Sequence, residues 1–381
     1  MSKVIVTGAD GYCGWPVVLK LLKKGHSVLG IDNRGRRNWV KEVDSISAVP
    51  ILDPIARAEK VHEKISEHYE YIDLDLNDFE YVDYTIKSFK PDVILHLAAQ
   101  PSAPYSQIDI EHCNFTQNNN MESTRNLLWS LHKNNMFTHF VMTTTTGIYG
   151  APKFPIPEGD LYIKEHDERV PYPAMAGSWY HMSHAYNAGN LWLAAKQFSF
   201  PITELRTSIV CGCCTEETKD DPDFKTRFDF DYYFGVVTNR FLVQAMVGRP
   251  ITVYGKGLQM KPMISLEDMA RTTANCVDYW KKGQTREKYL IYNQLEQPVS
   301  IVDIAETIKT TCEEKFNHPV EIKHIENPRI EDEEHFMEME NRRFILDLAN
   351  GQMHCTVITA IEKMCEELYP HIERFKDYVR K

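Results

Sequence analysis

An α/β fold, a doubly wound parallel sheet with a second, smaller carboxy-terminal lobe, is predicted by three features of this 381-residue sequence. The run Lys3-Val4-Ile5-Val6-Thr7 leads directly into a glycine turn and a helical pattern. Strand-like runs then alternate with helix-like segments as far as residue 210, the pattern of a parallel sheet covered on both faces. Beyond that point the alternation loosens into aromatic and charged loops, and helix-like stretches return at 238–247, 302–315 and 357–368. We read these as a lobe lying over the carboxyl edge of the sheet, where folds of this kind bind ligands.

The first unit runs as strand 3–7, turn 8–14, helix 16–24 and strand 27–32. Residues 34–70 are charged, with Pro50 and Pro54 breaking helical stretches, and are expected to form a solvent-facing insertion. Further strands are expected at 69–73, 93–97, 140–144 and 202–210. The resulting division is a dinucleotide-binding domain over 1–210, with a return segment near 258–293, and a lobe formed by 211–257 and 294–381. A chain of this size, 43% hydrophobic, buries a large core.

With 54 acidic and 43 basic side chains the formal net charge is −11, which opposes binding to nucleic acid or anionic lipid. A phosphorylated ligand would therefore be held by local cations and backbone N–H groups. The nine scattered cysteines read as free thiols of a reducing cytoplasm, and no run approaches the ~20 apolar residues that span a bilayer. Cys211, Cys213 and Cys214 lack the spacing of a zinc site, and His181 and His184, though one turn apart, lack an evident third ligand.

Gly8, Gly11 and Gly14 follow the first strand and open a helix, the context in which such spacing cradles a dinucleotide. One glycine permits the turn, one lets the pyrophosphate approach, and one lets helix and strand pack closely. This is the glycine fingerprint of the Rossmann fold. Asp32 ends the second strand, 18 residues after Gly14, where a carboxylate accepts ribose hydroxyls and repels a 2′-phosphate. NAD is thus expected over NADP, although Arg34, Arg36 and Arg37 lie nearby.

Further on, Thr143–Gly150 reads Thr-Thr-Thr-Thr-Gly-Ile-Tyr-Gly, and Tyr180, His181, Ser183 and His184 fall on a helix capped by Ser178. This combination resembles the extended short-chain dehydrogenase/reductase family. By that register Thr145 is the catalytic hydroxyl and Tyr180 the acid/base, while His184 stands where the family carries lysine. The lysine ammonium lowers the tyrosine pKa, which a neutral imidazole does far less.

Longer strings narrow the resemblance: Asp10-Gly11-Tyr12-Cys13-Gly14-Trp15, Ser102-Ala103-Pro104-Tyr105-Ser106, Asn239-Arg240-Phe241, Thr252-Val253-Tyr254-Gly255-Lys256-Gly257, and residues 327–335 beginning Asn327-Pro328-Arg329. They are similar to the UDP-sulfoquinovose synthase family. The resemblance implies a homodimer with tightly held NAD, UDP-glucose as substrate and sulfite as nucleophile. It also implies chemistry through a 4-keto sugar, with His181 serving elimination or addition at C6. It assigns Tyr12, Cys13, Asn33, Arg34, Asp75, Leu76, Leu97, Ala98, Ala99, Gln100, Asn119, Tyr180 and His184 to the cofactor, beside the glycines and Asp32. To the substrate it assigns Gln100, Ser102, Tyr105, Thr145, Arg227, Asn239, Arg240, Thr252, Val253, Tyr254, Gln259, Arg329 and Glu331.

Three positions depart from that family: Pro101 and Lys261 replace arginines, and His184 replaces the lysine. Other nucleotide-sugar activities of the same fold, namely 4-epimerisation, dehydration and decarboxylation, therefore stay open. So does a catalytically weak regulator that binds NAD and a UDP-sugar.

Overall fold

The computed structural model describes residues 1–172, 174–281, 287–326 and 337–379. Its centre is a seven-stranded sheet. Strands β1 (Lys3–Thr7), β2 (Ser27–Asp32), β3 (Tyr69–Asp73), β4 (Val93–His96) and β5 (His139–Thr145) are joined by the strands Ile202–Thr207 and Tyr289–Gln294. From one edge the order is Tyr289–Gln294, Ile202–Thr207, β5, β4, β1, β2, β3, and every pairing is parallel. The order reverses between β1 and β4, which opens a crevice beyond their carboxyl ends.

The helices α1 (Gly14–Lys23), α2 (Gly35–Glu42), α3 (Pro54–Lys64), α4 (Phe79–Phe89), α5 (Ile110–Lys133) and α6 (Trp179–Gln197) precede the lobe. Strand residues such as Val4, Val6, Ile5 and Ile94 are buried on both faces, as in a sheet sandwiched between helices. On one face α1 and the helix Leu266–Lys281 cover the sheet, and Val17, Val18, Leu21 and Leu22 of α1 enter the core. Each fully buried side chain of this kind contributes roughly 1.5–3 kcal/mol. On the other face Leu127, Leu128 and Leu131 of α5 pack with Val82 and Ile86 of α4 and Leu191 of α6.

The lobe has its own core and two small sheets. Met260–Ser265 lies between Ile209–Cys211 and Gln297–Ser300, and Ile251–Tyr254 pairs with Ile322–Ile325. The helices Val237–Met246, Ile301–Phe316 and Val357–Leu368 close it.

Four expectations are corrected. The 202–210 run is two strands in two sheets, divided at Ser208. The segment near 258–293 is shared, because Met260–Ser265 belongs to a lobe sheet and only Tyr289–Gln294 rejoins the main one. The 34–70 segment is only partly solvent-facing: Val40, Arg57 and Val61 are buried, and Ala48 and Val49 enter the lobe core. Nor does Pro54 break a helix. It starts α3, capped by the Asp53 side chain, where a missing N–H costs nothing.

Candidate active site

A cleft of about 650 Å³ lies over the carboxyl ends of β1, β2, β4 and β5, roofed by the lobe. The glycine turn forms its floor. Gly8 has φ +74°, and a Cβ there would lie 2.9 Å from the Ala98 backbone nitrogen; at Gly14 it would lie 2.0 Å from the Gly8 carbonyl oxygen. No side chain caps α1 and its first turn holds no carboxylate, so its amino end meets the cleft without a competing anion.

Asp32 accepts the Asp10 N–H at 3.0 Å and the Arg34 N–H at 2.7 Å. Burial, and next the charge of Asp10, push its carboxyl up to about 6. The three neighbouring arginines are all engaged by carboxylates. Arg34 takes a left-handed conformation (φ 58°) that turns its guanidinium away, onto Asp73 and Asp53. Arg36 binds Asp229 at 2.8 Å and covers the Phe234 ring, while Arg37 grips Asp10 with two bonds. Of the three, only Arg36 lines the cleft.

Helix α6 brings Tyr180, His181 and His184 to the cleft. Ser178 caps the helix by accepting the His181 N–H, and its hydroxyl also meets His181 Nδ1 at 2.8 Å. Tyr180 is half-buried and lines the cleft with Thr145. Burial raises the phenol well above the ordinary tyrosine range, the nearby Cys13 adds to this, and Thr145 works against it. His184 is buried, its ring lowered to about 3 by desolvation, and its Nδ1 has no partner. His181 is likewise lowered by burial, to about 4. Its ring fills the space above Gly147, where a Cβ would lie 2.1 Å from Cδ2. This glycine is a requirement that the sequence analysis missed.

The structure gathers most of the expected residues here. Gly8, Gly11, Tyr12, Cys13, Gly14, Asp32, Asn33, Asp75, Leu76, Leu97, Ala98, Ala99 and Asn119 line the cleft with Thr145, Tyr180, His181 and His184. So do Ser102, Asn239, Arg240, Thr252, Tyr254, Gln259 and Lys261. Gln259 is 2% exposed, and neither its amide nitrogen nor its oxygen has a protein partner. Such a buried amide is costly unless a ligand completes it.

Other expected residues stand elsewhere. Arg34 is on the surface pairs described above. Gln100 is fully buried and braces Ser102 and Thr116. Tyr105 turns its hydroxyl to Glu42 at 2.6 Å. Arg227 lies behind the cleft wall, paired with Asp229, and Val253 points into the lobe core. Arg329 and Glu331 lie outside the described residues. Conversely, Arg36, Trp39 and the aromatic run Tyr232–Phe234 line the cleft without having been singled out for it.

The model of the NAD dependent epimerase/dehydratase family matches residues 4–292. The chain belongs to this family. Within it, the chain is similar to the UDP-sulfoquinovose synthase of Sulfolobus acidocaldarius, with 33% identity over 99% of this chain and 96% of that protein. It is also similar to the chloroplastic UDP-sulfoquinovose synthase of Spinacia oleracea, with 36% identity over 88% of this chain and 69% of that protein. A UDP-glucose-4-epimerase from Stenotrophomonas maltophila, solved with bound NAD and formylated UDP-arabinopyranose, shares the fold. Its TM-score is 0.74 at 16% identity, covering 99% of this chain and 100% of that one. The UDP-glucose 4-epimerase of Bifidobacterium longum, solved with NAD+ and UDP, gives 0.70 at 18% identity, covering 97% and 98%. At such identities the likeness is one of fold.

As a member of the epimerase/dehydratase family this is an NAD-dependent enzyme, and its residues fit that cofactor. The glycine turn leaves a cradle that a Cβ would fill, Asp32 ends β2 in the same cleft with a carboxylate able to accept hydroxyls, and the orphaned Nδ1 of His184 suits a ribose hydroxyl. No helix among the described residues is long and apolar enough to cross a membrane.

Proposed function

We propose that the protein oxidises the C4 hydroxyl of a UDP-hexose and elaborates the resulting 4-keto sugar, in the manner of the UDP-sulfoquinovose synthases it is similar to. One observation carries this reading. The Tyr180–Thr145 pair lines the cleft, and the unpartnered Gln259 amide, with Arg240 and Lys261, is in the same cleft wall. A hydride-transfer site and a nucleotide-reading site thus share one cavity.

When bound, NAD supplies the hydride acceptor and donor. The protein's own groups do the rest. Thr145 donates a hydrogen bond to the C4 oxygen, and Tyr180 takes its proton as the ketone forms. A ketone at C4 acidifies the C5 proton. His181, neutral and buttressed by Ser178, has its imidazole edge over Gly147, where it can take or return a proton at C5 or C6. The Gln259 amide, a paired donor and acceptor, meets the imide edge of the base, and Arg240 and Lys261 face the diphosphate.

Pro101 in the cleft wall carries no charge to receive sulfite. This favours a second reading in which the 4-keto sugar is epimerised or dehydrated without a sulfur donor. Nuclear magnetic resonance of the products formed from UDP-glucose, with and without sulfite, separates the two. Absence of any conversion of UDP-hexoses would overturn both, leaving a binding protein.

The nine cysteines are all free thiols, which supports a reducing cytoplasm. Ile110, Phe115 and Trp129 on α5, with Tyr186 and Leu193 on α6, are exposed apolar side chains on two helices that pack together. They support a homodimer formed through these helices, which sedimentation of the protein and of a Trp129→Glu variant would test.

A further inference from the structure

The turn that presents Thr145 is held at both ends by one buried ion pair. Glu204 and Arg206, 0% and 4% exposed, face each other along one strand with bonds of 3.1 and 3.2 Å. Glu204 accepts the Thr144 hydroxyl at 2.6 Å, one residue before Thr145. Arg206 donates to the Tyr149 hydroxyl at 2.8 Å, just beyond the turn, and that hydroxyl donates to Asn293 at 2.6 Å. Asn293 in turn donates to the carbonyls of Pro157 and Glu340. Residues 338–340 also pair with Ile156 through two backbone bonds, and Met337 lines the cleft.

A charged pair this deeply buried is a poor way to gain stability, because desolvating the two ions offsets most of their attraction. What such a pair does well is fix geometry, since neither partner can move without leaving the other uncompensated.

We propose that the Glu204–Arg206 pair is a positioning device for the reacting centre. It sets the Thr145–Gly147 turn through Thr144 and Tyr149, and ties that turn through Asn293 to the strap at 337–340. This inference rests on the assignment of Thr145 and Tyr180 as the reacting groups. Removing either charge would leave its partner buried and alone, so the test deletes hydroxyls instead: Thr144→Val, Tyr149→Phe and the double variant, with Thr144→Ser as the conservative control. In NAD-loaded protein given UDP-glucose, each deletion should slow single-turnover NAD reduction on the order of 10-fold, as small misplacements of reacting groups do. UDP affinity by calorimetry should stay within about twofold, and the double variant should fall short of the product of the two singles. Thr144→Ser should restore the rate. Hydrogen exchange of the 145–150 amides should quicken in both deletions, and this readout needs no turnover. If the native protein reduces no NAD, the functional reading fails while exchange still decides the positioning claim. Full rates with unchanged exchange would overturn it, as would parallel losses of rate and UDP affinity.

Discussion

The imidazole of His184 stands edge-on to the phenol ring of Tyr180, with centroids 4.9 Å apart and planes at 84°. It fills the place of a cation without being one, because burial keeps the ring neutral down to about 3. Burial of the phenol itself raises it well above the ordinary tyrosine range, so it holds its proton at neutral pH, and C4 oxidation should keep rising into alkaline pH. His184→Lys should move that profile down by ~1–2 pH units. An ammonium near a phenolate gains on the order of 4 kcal/mol at an effective dielectric of 20, less the cost of burying it. Rate-against-pH curves for the two proteins check this, and coincident curves would show that this position does not set the tyrosine's ionisation.

Asp32 makes cofactor binding sensitive to acid. Its carboxyl titrates at about 6, and only the ionised form offers both oxygens to ribose hydroxyls. As pH falls through that value the group gains a proton and loses an acceptor, so the Kd for NAD should rise. Asp32→Asn should weaken NAD by ~1–3 kcal/mol and flatten the acid response. Titrations between neutrality and mild acid test both statements.

The arginines beside Asp32 should differ sharply. Arg34 pairs with half-exposed carboxylates, so Arg34→Ala should cost less than ~1 kcal/mol and leave NAD affinity intact. Arg37 holds Asp10, which is 3% exposed and whose N–H supports Asp32. Arg37→Ala should cost about 2 kcal/mol and weaken NAD, because Asp10 keeps only Arg57. Denaturant melts and calorimetry on the two variants separate these outcomes.

Gly147→Ala should displace the His181 ring, since the new methyl would overlap it at 2.1 Å. Turnover should fall on the order of 10-fold or more, while NAD affinity holds. Steady-state kinetics beside NAD titration is the check.

Local signals in the sequence were read well where their partners are close in the chain. The glycine turn, the Ser178 cap and the shared face of Tyr180 and His184 need only helix and turn geometry. What escaped depends on contacts between distant segments. Arg36 meets a carboxylate 193 residues away, and the insertion is buried partly under the lobe, through Ala48 and Val49, and partly against the core of the main sheet, through Val61. Strand alternation, by contrast, was available for Thr252, Val253 and Tyr254. Neighbours on a strand face opposite ways, which sends the outer two to the cleft and Val253 to the core.

The most direct test of the central claim is single-turnover absorbance of reduced nicotinamide after UDP-glucose is added to NAD-loaded protein, compared with Tyr180→Phe. Transient reduction in the native protein, abolished in the variant while UDP still binds, is the predicted result. Equal reduction in both proteins, or none in either despite tight UDP-glucose binding, would contradict the assignment of Tyr180 as the group that takes the C4 proton.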